Sequence, residues 1–442
     1  MERTAGNELR KVLGVAFGIA VFIGGTIGVG IFRNPGTIAQ LLDNYWLIIG
    51  CWVLGGIYVL MGVGSYAELA TMMPKAGGAY NYVKTAFGNY AGFLTGWYDF
   101  ILNGIAPSYF CLVIGEYLVL LFPSLKGYEI VLAASFLMAF TILHISGVKS
   151  GSITQQVTSI VKVIFFAALI ASCFLFTGTG QQHVETTVLS SSLAKAGITI
   201  AILKSLQLVI GTYDGWMAVS FFAEEDKDPS KNIPRSLYIG AIVVIVIYVL
   251  INVAFLHVLP VSAIANSPLV ASEVSNAVFG SKGRVIVTVI AIFSLLSILN
   301  AYMMIPARVL FGLSRDGFFI PAGARVNKGG TPVIGLLLTS VFNLVLVLVG
   351  SFDQLFSLAV FMSVIVVGFS FVSLVKLRLK APGMPRPYRA WGYPWSTGFM
   401  ILLSVALLVG FAIGDPKNFI IILIITLLSY PAFLLLVKNK TK

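Results

Sequence analysis

The groups in this chain best placed for chemistry are backbone groups in a run of glycines. Residues 24–30 read GGTIGVG and lie inside an apolar stretch from Val12 to Leu42. Glycine inside a helix costs about 1 kcal/mol relative to alanine, so this spacing predicts that the chain leaves the helix near its middle. The freed N–H and C=O groups would become ligands. Small residues also allow close helix packing, and one segment alone leaves both interpretations open.

A second interruption occurs in IGTYDGWMAVSFFAEED, where Gly211, Asp214 and Gly215 break an apolar helix about halfway along. Unwound backbone at membrane depth is tolerated only where it is buried in protein or lines a cavity. Two such breaks therefore favour a binding site over simple packing. Asp214 could accept a proton, hold an ammonium group, or serve as a fixed hydrogen-bond acceptor.

Other polar residues lie within apolar segments. Lys162, in GSITQQVTSIVKVIFFAALI, is about two turns deep, where burial disfavours a charged ammonium. It is either an ion-coupling group or a permanent structural contact. Arg33 belongs either to an outer gate or to the surface. Asn103 could line a pocket, and Asn300 could form a hydrogen bond across helices. Ser294 and Ser297 are at a plausible depth for a sodium site. Ordinary packing is the alternative for each of the four.

Residues that would support catalysis are scattered along the chain. His144, His183 and His257 lie on different segments, and the three cysteines lie in apolar runs. Nothing in these spacings suggests a metal site, a disulfide framework or a nucleophile with its base. The sequence therefore predicts a protein that is not an enzyme and has neither a metal nor a cofactor.

The elements that position these groups are predicted to be membrane helices. Hydrophobic residues make up 58% of the 442-residue chain and charged residues 10%, against about 25% charged in soluble domains. A spanning helix needs about 20 apolar residues, and twelve such segments are centred near residues 27, 58, 105, 137, 165, 205, 246, 298, 341, 364, 403 and 427.

The formal net charge of +12 follows from topology. Most of the 29 lysines and arginines fall on one set of alternate loops, which places those loops and both termini in the cytoplasm. The charge is therefore no indication of nucleic-acid binding. The inner ends of helices two and six carry acids close in sequence to Lys227, Lys231 and Arg235. These acids are Glu68, Glu224, Glu225 and Asp226. We expect either ion pairs that close the inner side or unspecific surface charge.

The two interrupted segments are the first and the sixth, so they cross the membrane in opposite directions. Two five-helix units of this kind would be inverted repeats, an arrangement typical of secondary transporters. We expect a single membrane transport domain over 1–442. Repeat one would cover about 12–177 and repeat two about 196–377, and two further apolar segments would follow over about 393–437.

Four motifs resemble a known transporter family in order and spacing, over nearly the whole chain. They read GVGIF, YAELATMMPKAGGAYNYVKTAFG, YDGWMAVSFFAEEDKDPSKNIPRS and LRLKAPGMPRPYRAWGYP. The family is the amino acid–polyamine–organocation (APC) superfamily, and the last two motifs are similar to its L-type amino acid transporter branch. The resemblance implies an all-α integral membrane protein with the LeuT-like fold. Its 12 transmembrane helices would form two inverted five-helix repeats plus two peripheral helices, with helices 1 and 6 broken at mid-membrane.

The resemblance also implies roles for matching residues. N–H groups at a helix start bind anions, so those of Gly28, Val29 and Gly30 would hold a substrate carboxylate. Ile27, next to them in the chain, would also belong to the substrate-binding site. The substrate ammonium would meet carbonyl groups at the unwound ends, which belong to Thr26, Gly211, Thr212 and Asp214.

At Gly211, L-type relatives often carry a bulky aromatic side chain that covers the site. Either another residue closes the pocket here, or the site accommodates more volume. Lys162 stands where sodium binds in LeuT-like relatives, which implies sodium-independent transport by exchange or proton symport, with Asp214 the second coupling candidate.

The expected function is a permease of amino acids in the cell membrane, working by alternating access. Neutral L-amino acids are favoured because Asp214 is nearly the only acid predicted at the centre, and cationic amino acids or polyamines are the alternative. A channel or a membrane sensor is the alternative outside the transporter class. The loop FPSLKGYE lacks the cysteine through which eukaryotic L-type relatives bind a heavy chain, so no disulfide-linked partner is expected beside the substrate and the lipid bilayer.

Overall fold

The computed structural model describes residues 9–176, 192–267, 269–349 and 352–438, so both chain ends lie outside the described residues. Within these ranges the protein is helical and has no strand, apart from an isolated bridge between Leu13 and Asp226. The all-α prediction is confirmed for this part of the chain. The helices in chain order are α1 Val15–Thr26, α2 Gly30–Leu42, α3 Tyr45–Met72, α4 Ala79–Phe87, α5 Asn89–Leu121, α6 Glu129–Ile145, α7 Val148–Leu175, α8 Ser192–Tyr213, α9 Pro229–Val258, α10 Val261–Ala265, α11 Val270–Phe279, α12 Gly283–Arg315, α13 Val333–Val349, α14 Phe352–Lys380, α15 Trp395–Gly414 and α16 Pro416–Lys438.

Among the described residues, eight helices are long and apolar enough to cross a membrane, or nine if α1 and α2 form one bent span. Two further apolar helices, α6 and α13, are shorter. The outer faces of α15 and α16 expose large apolar side chains such as Leu402, Ile413 and Leu427. Lipid is the solvent that makes such a surface stable, so this is a multi-pass membrane protein.

The first glycine run coincides with a break between helices. Helix α1 ends at Thr26, α2 begins at Gly30, and the two are bent by 43°. Close packing operates at the same place, because a Cβ on Gly24 would lie 1.8 Å from Gln155 Nε2 and a Cβ on Gly28 would lie 2.8 Å from Ile298 Cδ1. The chain therefore leaves the helix at these glycines, and the same glycines allow close packing.

The second interruption follows α8. Gly215 has φ +97°, and a Cβ there would lie 2.4 Å from the carbonyl oxygen of Gly25. The chain then continues as a 3₁₀ helix, Trp216–Glu225, which is long for a helix type that rarely exceeds four residues. The backbones of the two breaks thus touch each other in the interior.

Intact helices surround the two breaks. Helix α12 packs along α5 and α7, α1 packs against α7 and α9, and α3 packs against α8 and α9. The loops at one end of this bundle carry Lys75, Lys227, Arg325 and Arg386, and we call it the basic end. Helices α2 and α5 run away from it toward the opposite end.

Replacing Gly215 with alanine is expected to destabilise the protein by about 2 kcal/mol or more, because alanine is strained at this φ and its Cβ overlaps the Gly25 carbonyl. Thermal unfolding of the purified protein measures this. The matched control is Gly410→Ala in α15, where a Cβ meets nothing within 4 Å. Equal midpoints for the two variants would contradict the close approach of the breaks.

Candidate binding site

A small cavity of about 30 Å³ lies where the two breaks meet. It has room for about one water. Seven of the predicted site residues line it, together with aromatic and aliphatic side chains of α5, α12 and α14. The predicted residues are Thr26, Gly28, Val29, Gly30, Gly211, Thr212 and Asp214.

One wall of the cavity is the beginning of α2. The first N–H groups of a helix lack an intrahelical acceptor and carry the positive end of the helix dipole, so this wall attracts anions. The Thr26 hydroxyl beside it is buried and has no hydrogen-bond partner among the described residues. This wall is suited to a carboxylate.

Tyr248 of α9 ties the two breaks together. Its buried hydroxyl lies 2.9 Å from the Thr26 carbonyl oxygen and 3.1 Å from that of Thr212. Two carbonyl groups predicted to bind an ammonium therefore already face a donor. Because a carbonyl oxygen has two lone pairs, each can still accept from a substrate as well.

Asp214 is the only acid among the described residues that line the cavity. Its Oδ1 accepts a hydrogen bond of 2.9 Å from the Ser363 hydroxyl on α14, and its own N–H donates to the Gly211 carbonyl at 3.4 Å. One carboxylate oxygen is thus held in place, which orients the group at the edge of the cavity.

The missing side chain at Gly211 is replaced by residues of another helix. A Cβ on Gly211 would lie 3.4 Å from Val360 Cγ2 and 3.7 Å from Phe356 Cζ, both on α14. These two residues close the cavity at this point. In this conformation these two side chains occupy the space beside Gly211.

Lys162 is buried against the break, with its side chain 1% exposed. Its Nζ donates to the carbonyl oxygens of Ile27 at 2.5 Å and Gly24 at 3.1 Å, and the Ser294 hydroxyl donates to the same Ile27 oxygen at 3.1 Å. Lys162, Ser294 and Ile27 are therefore brought together. They lie behind the break, outside the lining of the cavity.

Ser297 and Asn300 lie further along α12 in a polar seam against α7. The Asn300 amide donates to Gln155 Oε1 at 2.7 Å and to the Gly151 carbonyl at 3.0 Å, while Ser297 Oγ lies 3.2 Å from Ser159 Oγ. Asn103 also lies outside the cavity lining, and its amide donates to the Asp99 carbonyl at 2.8 Å.

Ion pairs join the elements at the basic end. Arg308 of α12, 2% exposed, binds both carboxylate oxygens of Glu225, with Nη2 2.9 Å from Oε2, and stacks its guanidinium over the Phe222 ring at 4.5 Å. Arg315 binds Glu224 at 2.7 Å, and Lys84 binds Asp316 at 2.7 Å.

Glu68 anchors the loop after α14. Its carboxylate accepts from Arg378 at 2.5 and 2.9 Å and from the Ala390 N–H at 2.7 Å, and it lies 3.2 Å from Arg386 Nε. Three of the four predicted acids thus form ion pairs, but their partners lie on α12, on α14 and in the loop after α14. The fourth, Asp226, accepts instead from the Asn232 side-chain amide at 2.7 Å. Of Lys227, Lys231 and Arg235, which are close in sequence to these acids, only Lys231 has an ion pair among the described residues, with Asp228 at 3.4 Å.

A larger cavity of about 870 Å³, which we call the vestibule, lies at the opposite end of the bundle. Its floor is shared with the small cavity through Val29, Gly30, Phe356 and Val360. Access to the site therefore runs from this end, whereas the basic end is closed.

Comparison with known proteins places this arrangement in a family. The model of the amino acid permease family matches residues 13–429, nearly the whole chain and both breaks. The chain belongs to the amino acid permease family. The permease is therefore a relative of transporters of the APC superfamily, as its motifs suggested.

Three relatives cover most of the permease. The serine/threonine exchanger SteT of Bacillus subtilis (strain 168) is 30% identical over 91% of this chain and 90% of its own length. The large neutral amino acids transporter small subunit 2 of Homo sapiens is 28% identical over 87% and 73%. The b(0,+)-type amino acid transporter 1 of Mus musculus is 26% identical over 93% and 84%. All three are transporters or exchangers by name.

Sequence reasoning missed several residues of the site. Tyr248, Phe356 and Tyr302 are aromatic residues in apolar helices, and nothing in their spacing separates them from core residues. Asp99, an acid within α5, was also passed over, although ionisable residues within membrane segments are functional candidates; it lies outside the cavity lining. Its carboxyl oxygens have no hydrogen-bond partner among the described residues.

Replacing Tyr248 with phenylalanine is expected to raise the KM for amino acid uptake roughly tenfold, since it removes the donor that joins the two breaks. The matched control is Tyr238→Phe, whose hydroxyl lies 2.6 Å from that of Tyr388 and is not part of the cavity lining. Similar KM values for both variants would show that the Tyr248 hydroxyl does not shape the site.

Replacing Glu225 with glutamine is expected to destabilise the permease by about 3 kcal/mol or more, because Arg308 is left buried without a counter-charge. Thermal unfolding measures the loss. Adding Arg308→Met to Glu225→Gln should recover part of it, since the unpaired charge is then removed. Lys231→Gln, which breaks the exposed pair with Asp228, is the control. No recovery in the double variant would contradict the role of the buried charge.

Proposed function

We propose that this permease carries neutral L-amino acids by alternating access, independently of sodium, by exchange or proton symport. The observation that carries the proposal is the cavity between two helix breaks, with anion-binding N–H groups on one side and the Asp214 carboxylate on the other. An amino acid offers the complementary pair, a carboxylate and an ammonium group. The cavity must expand to admit it.

Helix packing supports a LeuT-like fold with two inverted repeats. Taking α1–α2, α3, α5, α6 and α7 as repeat one, the corresponding helices of repeat two are α8 with the 3₁₀ helix, α9, α12, α13 and α14. If the helices of the two repeats are matched in this order, the packed pair α5–α6 corresponds to the pair α12–α13. In the same way the pair α5–α14 corresponds to the pair α12–α7. All four pairs are in contact.

The short helices match in the same way. Helix α4 follows α3 in repeat one, and α11 follows α9, the counterpart of α3, in repeat two. With α15 and α16 as peripheral helices, this arrangement corresponds to the proposed twelve spans of a single transport domain, residues 1–442.

The two ends of the bundle support alternating access. The vestibule opens one end, while the ion pairs of Arg308, Arg315 and Arg378 close the other. The positive-inside rule makes the basic end cytoplasmic, so this conformation faces outward. Opening the inner side requires these ion pairs to separate. We place the permease in the cell membrane with both termini cytoplasmic.

The lining of the cavity favours neutral substrates. Apart from Asp214, its side chains are uncharged among the described residues, and Tyr109, Phe110, Ile298 and Phe356 are aromatic or aliphatic. Asp214 is sufficient for one ammonium group, whereas a cationic amino acid or a polyamine brings a second.

Lys162 supports sodium independence. Its ammonium lies against carbonyl oxygens at the break, where a bound cation would otherwise serve the same oxygens. Asp214 and Lys162 are accordingly the proposed coupling groups.

The cysteines favour a permease without a disulfide-linked heavy chain. Cys51, Cys111 and Cys173 are free and buried within helices. None of them is placed for a bond with another chain.

Uptake into proteoliposomes tests the proposal. Labelled alanine, leucine, threonine and arginine are offered in sodium-free buffer, with and without internal amino acid and with and without an inward proton gradient. We expect saturable uptake of the neutral amino acids and little of arginine. Dependence on internal amino acid would identify exchange, and gradient-driven accumulation in empty vesicles would identify proton symport.

The matched variants are Gly28→Val, whose side chain fills the cavity against Ile298, and Gly410→Ala in α15. We expect Gly28→Val to lose uptake and Gly410→Ala to keep it. Undiminished uptake by Gly28→Val would overturn the site. Stronger uptake of arginine than of leucine would favour the cationic alternative.

A further inference from the structure

The vestibule contains two charged residues among the described residues that line it, and they form an ion pair. Arg33 Nη2 on α2 lies 2.8 Å from Glu116 Oε2 on α5. The side chains are 32% and 48% exposed. Ion pairs with this much exposure contribute little to stability. The pair can therefore separate at small cost.

A zwitterion carries the same two charges in the opposite order. If an amino acid enters between the side chains, its carboxylate replaces Glu116 as the partner of Arg33, and its ammonium replaces Arg33 as the partner of Glu116. Each charged group exchanges one counter-charge for another, so none is left unpaired. Molecules with only one charge cannot make this exchange.

The polarity of the pair matches that of the cavity below. Arg33 lies three residues beyond Gly30 on α2, about 4.5 Å along the helix axis. A carboxylate held by Arg33 therefore lies above the N–H groups at the start of the same helix. The shared floor of the two cavities, Phe356 and Val360, separates the positions.

We propose that Arg33 and Glu116 form a second, outer binding site for the zwitterionic α-amino and α-carboxylate groups of the substrate, which receives the amino acid already oriented for the central cavity. This inference rests on the proposed transport of amino acids. It adds a site that selects solutes by their charge pattern before the side chain of the substrate contacts the central cavity.

Uptake kinetics from the vestibule side test the proposal. We expect Arg33→Gln and Glu116→Gln each to raise the KM for labelled L-threonine roughly tenfold, the effect of losing one charge-assisted hydrogen bond. The maximal rate at saturation and the KM for efflux from the opposite side should stay unchanged. Because KM is independent of the amount of folded protein, a loss of yield does not imitate this result. Lys231→Gln at the basic end is the control.

The charge-swapped double variant Arg33→Glu with Glu116→Arg separates a binding site from a structural tie. The swap keeps an ion pair but places a carboxylate above the N–H groups of α2, so we expect the KM to remain raised. A wild-type KM in the swapped variant would show that the pair only joins α2 to α5. Single variants with a KM within twofold of wild type would overturn the proposal as well.

A direct measurement uses Gly28→Val in nanodiscs, because Gly28 lines the central cavity and lies outside the vestibule lining. Saturation-transfer NMR should detect millimolar L-threonine on this variant and lose the signal when Arg33→Gln is added. Threoninamide and 3-hydroxybutyrate, which each keep one charge, should give none. A signal that persists in Arg33→Gln would place the binding elsewhere. Absence of uptake by the unmodified permease would instead refute the proposed function, so the two failures are distinguishable.

Discussion

The backbone polar groups at the two helix breaks impose the constraint on which the rest of the structure depends. Lipid offers no hydrogen bonds, so each freed N–H and C=O must find a partner inside the protein. Side chains from intact helices provide many of them: Lys162 and Ser294 reach the Ile27 carbonyl, and Tyr248 reaches those of Thr26 and Thr212. The backbone N–H groups at the start of α2 that these side chains do not bind form, together with Asp214, the polar part of the cavity.

Close approach of backbones makes this arrangement possible. Gly25 and Gly215 bring the two breaks together, and Gly28 lies so near Ile298 that a Cβ would overlap it. Side chains here would push the breaks apart and separate the N–H groups of α2 from Asp214. The glycines thus serve packing and binding by the same means.

The two ends of the bundle are held by interactions of different strength. At the basic end the pair of Arg308 and Glu225 is buried and bidentate, and removal of one partner from such a pair costs about 3–5 kcal/mol. In the vestibule the pair of Arg33 and Glu116 is partly exposed and weak. This asymmetry suits a permease that admits solutes at one end while the other stays shut, and the proposed alternating access requires a conformational change that reverses it.

The sequence by itself determined the helical membrane class, the positions at which the two helices are interrupted and seven of the residues that line the cavity, because apolar run lengths and glycines act locally. It also singled out Lys162 as an ionisable residue within an apolar segment. Tertiary structure alone decided the partners: that Phe356 and Val360 close the gap at Gly211, that Arg308 rather than a neighbouring lysine binds Glu225, and that Tyr248 joins the breaks. These contacts link residues far apart in the chain, and an aromatic residue or an arginine in an apolar helix has the same local pattern whichever neighbour it meets.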